Sequence, residues 1–139
     1  MINCIAIDDS PLALELLECY IQKISYLHLI KKCVSGKEAI KILHKEKIDL
    51  IFLDIHMPDL MGLDLLKSLK VKPAIIITTG NPKYAIEGFN MDVADYLLKP
   101  FSFERFKVAT DKVYNLYRIK ANQVSQQECI FIKSGYETV

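Results

Sequence analysis

Two hydrophobic periodicities alternate along this chain. Apolar runs such as INCIAI (2–7) and IDLIFLD (48–54) are typical of strands buried in a parallel sheet. Between the first strands, the residues from 11 to 24 repeat their apolar positions at helical spacing. These apolar positions are Ala13, Leu16, Leu17, Tyr20, Ile21 and Ile24. The pattern therefore predicts that a strand is followed by an amphipathic helix.

Continuing this alternation to the end of the chain predicts five strands and five helices. The predicted strands are 2–7, 27–34, 48–54, 74–79 and 93–98. The predicted helices begin at Pro11 and continue with 37–47, 63–70, 84–89 and 102–120, with Ser102 as the N-cap of the last. Strands that alternate with helices form parallel βαβ units with right-handed crossovers. The predicted fold is therefore an α/β, doubly wound parallel sheet.

Composition adds limits to this prediction. A chain of 139 residues is long enough for one domain and a short additional segment. Its 51% hydrophobic and 25% charged residues are typical of a folded protein, and its net charge of +1 does not favour direct binding to nucleic acid or an anionic membrane. No apolar run reaches membrane-spanning length, and Asp8 and Asp9 interrupt the first one too early for a signal peptide. We expect a cytoplasmic protein without membrane insertion.

The cysteines carry little functional information. Cys4, Cys19, Cys33 and Cys129 form no CxxC pair and have no histidines at metal-binding spacing. We therefore expect buried or half-buried thiols in a reducing compartment, with neither disulfides nor zinc.

Side chains that can bind a ligand or react lie at the ends of four of the predicted strands. Asp8 and Asp9 follow the first strand, Asp54 ends the third, and Lys99 follows the fifth. The fourth strand ends in the adjacent hydroxyls of Thr78 and Thr79. An aspartate after a strand is most often a turn former or an N-cap. However, the carboxyl ends of parallel strands meet at one edge of the sheet, where functional sites of this fold lie.

Three carboxylates at one edge predict a bound cation. They would raise one another's pKa values unless a positive charge neutralised them. Oxygen ligands too few for a complete cage suit Mg²⁺, which retains waters and shares its coordination with phosphate. Asp54 ends the central strand, so it is the predicted nucleophile for an aspartyl phosphate. Lys99 and a threonine hydroxyl would then contact the phosphoryl oxygens.

At this point the motifs DD, LDIHMPDLMG, TTG and DYLLKPF resemble, in order and spacing, the receiver domain of two-component response regulators. The resemblance covers about 2–117 and implies a flavodoxin-like fold with strand order 2-1-3-4-5. It implies that a sensor histidine kinase phosphorylates Asp54. It also implies that Asp8, Asp9, Asp54 and the main-chain carbonyl of His56 bind Mg²⁺, while the His56 imidazole faces solvent.

The resemblance also implies a switch. Thr79 would be the switch hydroxyl, with the backbone of Gly80 beside the phosphoryl group, although the residues alone leave Thr78 open. Tyr96 would be the switch aromatic, and Lys99–Pro100 a cis peptide. Phosphorylation would shift a population of states and favour a homodimer. The aromatics at the output face, either core or interface residues, are Tyr84, Phe89, Phe103, Phe106, Tyr114 and Tyr117.

Two features fall outside the family pattern. Ser10 stands where many receivers have a glutamate, beside the acidic pair. After the predicted receiver (1–119), residues 120–128 are polar and are interpreted as a linker. Residues 129–139 resemble the first strand of a LytTR-type DNA-binding domain. The interpretation is a truncated transcription regulator that contacts DNA only through the missing output domain.

Two alternatives carry different functions. A stand-alone receiver, acting as a phosphoryl carrier or protein-binding switch, would have the same site. A haloacid-dehalogenase-type phosphatase also uses an aspartate nucleophile with Mg²⁺, but it requires an acid two residues later, where this chain has His56. The sequence therefore predicts no enzymatic activity beyond the domain's own phosphoryl transfer and dephosphorylation.

Overall fold

A computed structural model describes residues 1–56, 72–83 and 93–136, with side chains of the last helix described to residue 122. The strands are β1 (Ile2–Ile7), β2 (Leu27–Cys33), β3 (Leu50–Asp54), β4 (Ala74–Thr79) and β5 (Asp95–Leu98). The helices within these ranges are α1 (Pro11–Gln22), α2 (Gly36–Lys45) and α3 (Phe103–Tyr136). The helices predicted at 63–70 and 84–89 lie outside the described residues.

The five strands form one parallel sheet in the order β2-β1-β3-β4-β5, which confirms the predicted flavodoxin-like topology. The central strand β3 is buried along its whole length, as its unbroken apolar run indicated. Asp54, its last residue, pairs in register with Thr78 of β4. The sheet therefore presents the ends of β1, β3, β4 and β5 along one edge.

Each face of the sheet has its own hydrophobic core. On one face, α1 and α3 cover side chains such as Phe52 and Ile76, with Phe106 buried among them. On the other face, the cluster around Ile5 and Ile51 packs against Ala39 of α2. Alternate residues of a strand point to opposite faces, so one apolar run supplies both cores.

The first helix departs from its predicted apolar face. Leu14, Leu17 and Ile21 are buried, whereas Leu16 is 40% exposed. The buried positions repeat every three or four residues and form one narrower stripe, because the helix contacts the sheet along a single line. The sequence pattern indicated the helix correctly but placed Leu16 on the wrong side.

Serine side chains cap the helices that follow β1, β2 and β5. The Ser10 hydroxyl accepts a hydrogen bond from the Ala13 N–H, and Pro11 occupies the first turn of α1. Ser102 accepts in the same way from the Arg105 N–H, as predicted. The departure at Ser10 thus has a structural role, because serine is a better N-cap than glutamate.

The end of the chain differs from its sequence prediction. Helix α3 continues to Tyr136, so the prediction of a linker at 120–128 and a strand from 129 was wrong for these residues as far as 136. Residues 120–134 contain neither glycine nor proline, and alanine, glutamine and lysine are favourable helix formers. Whether this segment belongs to a second domain stays a prediction.

None of the helices in the described ranges is long and apolar enough to cross a membrane.

Cys4 and Cys33 are buried free thiols, whereas Cys19 is exposed, contrary to the expectation of burial. Burial raises the pKa of Cys4 to about 12 and that of Cys33 to about 11. The two buried thiols therefore stay protonated and behave as core residues.

An ion-pair cluster attaches α3 to the edge strand β5. Arg105 donates to both carboxylate oxygens of Asp95 at 3.0 and 2.9 Å, and Lys112 donates to the same carboxylate at 3.1 Å. Burial would raise the pKa of Asp95, but hydrogen bonds from Arg105, the Tyr96 N–H and Lys112 outweigh this effect and hold the pKa below its ordinary value. The charged form of Asp95 therefore stabilises the fold.

Replacing Phe106 with alanine is expected to lower the free energy of unfolding by about 3 to 5 kcal/mol. The ring is fully buried, with its centroid 5.3 Å from that of Phe52 and 5.4 Å from that of Tyr20. Urea denaturation measures the change. Leu116→Ala, at a side chain 60% exposed on the same helix, is the control and should change stability by less than about 0.5 kcal/mol.

Asp95→Asn is expected to cost about 1 kcal/mol of stability at neutral pH. The folded-state pKa of Asp95 lies below its unfolded value, so its stabilising effect is present above the unfolded pKa and disappears as the pH falls through the folded pKa. Urea denaturation from neutral pH to about pH 3 should therefore show the two stabilities converging at acid pH. A constant difference across this range would contradict the ionic origin of the effect.

Candidate functional site

Three carboxylates meet at the carboxyl edge of the sheet. Asp8 and Asp9 follow β1, Asp54 ends β3, and each offers an oxygen within 4.8 Å of the others. Asp8 and Asp54 are buried, with 0% and 5% exposure, while Asp9 is exposed. The structure thus brings together the acidic residues that the strand-end argument selected.

Lys99 lies between the two buried carboxylates. Its Nζ is 2.8 Å from Asp8 Oδ2 and 3.6 Å from Asp54 Oδ2. Sequence reasoning placed Lys99 at the edge but did not predict its pairing with Asp8. Buried carboxylates require a partner of opposite charge, and the lysine side chain supplies it within the chain.

Backbone N–H groups fix the other oxygen of each buried carboxylate. The Ser10 N–H donates to Asp8 Oδ1 at 2.9 Å, and the His56 N–H donates to Asp54 Oδ1 at 3.0 Å. Each aspartate thus accepts from the residue two positions later, a turn that aspartate readily forms after a strand. Asp8 and Asp54 therefore act as turn formers and are also part of the candidate site.

Asp54 has a perturbed acidity. Burial raises its pKa, the His56 N–H and Lys99 oppose the rise, and the neighbouring Asp8 carboxylate adds to it, so that the pKa lies above its ordinary value. One lysine therefore does not fully compensate the carboxylates. A further cation at this cluster would favour the ionised form of Asp54.

The two threonines of β4 have different surroundings. Thr79 Oγ1 accepts from the Asn81 N–H at 3.1 Å, and it lies 3.2 Å from His56 Nε2. Thr78 Oγ1 is buried and has no hydrogen-bond partner among the described residues. Thr78 instead lines a groove of about 340 Å³ together with Asp8, Lys99 and side chains of α1 and the loop after β5.

The contact between His56 and Thr79 was not predicted. The imidazole was expected to face solvent, and His56 is indeed exposed, but its Nε2 reaches the Thr79 hydroxyl. One signal was available in the sequence, because His56 follows Asp54 by only two residues and so lies near the same strand end. The distance to Thr79, however, depends on how β3 and β4 are paired.

Tyr96 and Lys99 come from the same short segment of β5 and its following loop. Tyr96 is half-buried, and burial raises the pKa of its phenol. The Lys99 N–H donates to the Thr79 carbonyl at 2.7 Å, and the Lys99–Pro100 peptide is cis. Gly80 is exposed beside Thr79, with open space where a side chain would lie.

The donors at this edge fit a small, hard divalent cation. All three side chains offer carboxylate oxygens, which Mg²⁺ prefers. Burial, together with the Asp8 carboxylate, raises the pKa of Asp54, and a cation beside it would favour the ionised form. The composition of the cluster is therefore that of an acidic pocket suited to Mg²⁺.

Comparison with known proteins shows the family of this chain. Residues 4–111 match the sequence profile of the response regulator receiver domain. The sensory transduction protein LytR of Staphylococcus haemolyticus is 38% identical over 110 residues, which are 77% of this chain and 43% of that protein. The transcriptional regulatory protein BtsR of Escherichia coli is 37% identical over 109 residues, 77% of this chain and 46% of that protein. The chain thus spans less than half the length of these relatives.

Solved structures support the same assignment. The response regulatory domain of protein mrkE from Klebsiella pneumoniae superposes with a TM-score of 0.76 at 27% identity, covering 84% of this chain and 98% of that one. The response regulator TrrA from Thermotoga maritima, in complex with Mg²⁺ and BeF, superposes at 0.68 with 28% identity, covering 81% and 99%. Together with the profile match, these similarities establish that the chain belongs to the response regulator receiver domain family.

Proposed function

We propose that the domain accepts a phosphoryl group on Asp54, in the presence of Mg²⁺, from a sensor histidine kinase. The observation that carries this proposal is the cluster of Asp8, Asp9 and Asp54 around the Lys99 ammonium group, at the carboxyl edge of the sheet. By the order of the motifs, Asp8 and Asp9 would correspond to the family's acidic pair, Asp54 to its phosphoacceptor and Lys99 to its lysine. The protein is a switch under this proposal, and its only reaction is its own phosphorylation and dephosphorylation.

The transfer uses a carboxylate oxygen of Asp54 as the nucleophile. A new oxygen–phosphorus bond forms, the bond from phosphorus to the donor's nitrogen breaks, and the donor imidazole retains the bonding electron pair and takes up a proton. Lys99 is close enough to Asp54, at 3.6 Å, to follow the charge onto a phosphoryl oxygen. Asp54 is only 5% exposed, which also limits competition from bulk water.

Mg²⁺ would be held by Asp8, Asp9, Asp54 and the main-chain carbonyl of His56. When bound, it neutralises the charge that develops on the phosphoryl oxygens. The chain's own residues orient the acceptor, since the His56 N–H fixes one oxygen of Asp54 and leaves the other towards Lys99.

Switching would follow from phosphoryl contacts that differ between two states. The Thr79 hydroxyl and the Gly80 N–H would bind phosphoryl oxygens, and Tyr96 would change its packing in response. Support for this comes from the location of Thr79 at the end of β4 and from the Lys99 N–H bond to its carbonyl. A movement of Thr79 would thus be transmitted to β5.

The wider role is regulation of transcription in the cytoplasm. The relatives LytR, a sensory transduction protein, and BtsR, a transcriptional regulatory protein, support an output domain beyond residues 1–119. Residues 129–139 would belong to this domain, which would be of the LytTR type. Only this domain would contact DNA. Phosphorylation would favour a homodimer. Helices at 63–70 and 84–89 would complete the five-helix fold.

A stand-alone receiver, working as a phosphoryl carrier or protein-binding switch, is the second candidate, because it needs the same site. A haloacid-dehalogenase-type phosphatase is disfavoured. It requires a second acid two residues after the nucleophile, and the side chain there is the His56 imidazole in contact with Thr79.

Incubation with acetyl phosphate and Mg²⁺ should add one phosphoryl group to the wild-type chain. Intact mass measures the addition, and Asp54→Asn should abolish it because the amide is a poor nucleophile. The control is Asp49→Asn, at the opposite end of the same sheet, where the carboxylate accepts from the Asn3 N–H and should not affect labelling. Unchanged labelling of the Asp54→Asn chain would exclude Asp54 as the acceptor.

Addition of Mg²⁺ should raise the unfolding temperature of the wild-type chain. A concentration a hundredfold above Kd contributes about 2.7 kcal/mol to stability. Asp9→Asn should weaken Mg²⁺ binding at least tenfold without unfolding the chain, because Asp9 is exposed. Thermal denaturation across a Mg²⁺ titration measures both effects, and Glu15→Gln, an exposed acid on α1, is the control. An equal shift for Asp9→Asn and wild type would remove Asp9 from the site.

A further inference from the structure

His56 connects the proposed phosphoacceptor to the proposed switch hydroxyl through two different groups. Its backbone N–H donates to Asp54 Oδ1 at 3.0 Å, and its ring Nε2 lies 3.2 Å from Thr79 Oγ1. The metal-binding role assigned to His56 uses neither of these groups, because it uses the main-chain carbonyl. The contact of the imidazole with Thr79 therefore has no role in the proposed function so far.

The Thr79 hydroxyl has a complete set of partners in this arrangement. A hydroxyl donates one hydrogen bond and accepts two. Thr79 Oγ1 accepts from the Asn81 N–H at 3.1 Å, and its remaining contacts are His56 Nε2 at 3.2 Å and the Asn81 carbonyl at 3.4 Å. If Nε2 is unprotonated, the hydroxyl donates to it. If Nε2 carries the proton, the ring donates and the hydroxyl donates to Asn81.

Both ring tautomers therefore keep the hydroxyl bonded on the side of His56 and Asn81. If Nε2 is unprotonated, the hydroxyl must give up its hydrogen bond to His56 in order to donate to a phosphoryl oxygen on Asp54; if Nε2 carries the proton, it must give up the bond to the Asn81 carbonyl and move while still held by the ring. The phosphorylated state thus loses a hydrogen bond that the resting state has. A contact present in only one of two states changes their relative populations.

We propose that the His56 imidazole is a positioning residue that holds the Thr79 hydroxyl in the resting arrangement and so opposes switching. This inference rests on the proposed function. Under this proposal the His56 side chain affects the equilibrium between the resting and switched states, whereas the His56 backbone N–H orients Asp54. Loss of one hydrogen bond at an exposed position corresponds to about a two- to fivefold change in the equilibrium.

The imidazole is suited to a test because its removal should not disturb the fold. His56 is exposed and follows the last residue of β3, and its two backbone roles do not depend on the side chain. His56→Ala should therefore retain the unfolding temperature within about 2 °C, and its Mg²⁺ affinity is measured alongside so that beryllofluoride binding is compared at equal Mg²⁺ saturation. His56→Gln is the conservative variant, since its amide can reach Thr79 Oγ1 from the same position.

The experiment measures the affinity of the Mg²⁺-loaded chain for beryllofluoride, a phosphoryl mimic, from the amide NMR signals of Gly80 and Asn81. We expect His56→Ala to bind about two- to fivefold more tightly than wild type, and His56→Gln to bind like wild type. His44→Ala, at an exposed histidine of α2, is the matched control and should have no effect. In a Thr79→Val background, His56→Ala should lose its effect, because the partner hydroxyl is absent.

The failures are distinguishable. If the wild-type chain binds no beryllofluoride, the proposed function is wrong and this inference is wrong with it. If wild type binds and His56→Ala binds equally or more weakly, the proposed function stands and the inference alone is overturned. An unchanged effect of His56→Ala in the Thr79→Val background would also overturn it, since His56 would then act through another group.

Discussion

The charge balance among Asp8, Asp54 and Lys99 is the constraint on which the functional edge depends. Two carboxylates buried to 0% and 5% exposure would each cost several kcal/mol without a compensating charge. Lys99 Nζ lies 2.8 and 3.6 Å from them, and one backbone N–H satisfies a further oxygen of each. The compensation is incomplete, as the raised pKa of Asp54 indicates. A cation bound at this edge would complete the compensation.

The hydrophobic cores hold Lys99 where the carboxylates need it. The Lys99 N–H donates to the Thr79 carbonyl. Phe101, two residues later, is buried, and its carbonyl accepts a hydrogen bond from the Tyr20 hydroxyl. Tyr20 in turn packs against Phe106 of α3. The helices α1 and α3 thus fix the loop that carries the lysine, and the packing of one face of the sheet determines the electrostatics of its edge.

Residues near Asp54 have more than one role. Ser10 caps α1 through its hydroxyl and binds Asp8 through its N–H, which accounts for a serine beside the acidic pair. His56 contacts Asp54 through its backbone and Thr79 through its ring. In both cases the backbone N–H donates to a carboxylate, and the side chain contacts a neighbouring element. A substitution at either position therefore changes only the second role.

The sequence by itself determined the alternation of strands and helices and the residues at the strand ends. These follow from local patterns, since apolar runs and turn residues depend on near neighbours and parallel strands must end at one edge. The strand order came from the resemblance of the motifs to a known family. The sequence pattern misjudged the exposure of Leu16, because the rotation of α1 depends on the sheet beneath it. It also misjudged the secondary structure after residue 120, because an apolar run alone does not separate strand from helix. Only the tertiary structure decided that Lys99 pairs with Asp8 and that His56 reaches Thr79. These contacts join residues 91 and 23 positions apart in the chain, and their distances depend on strand register and loop packing, which no local pattern contains.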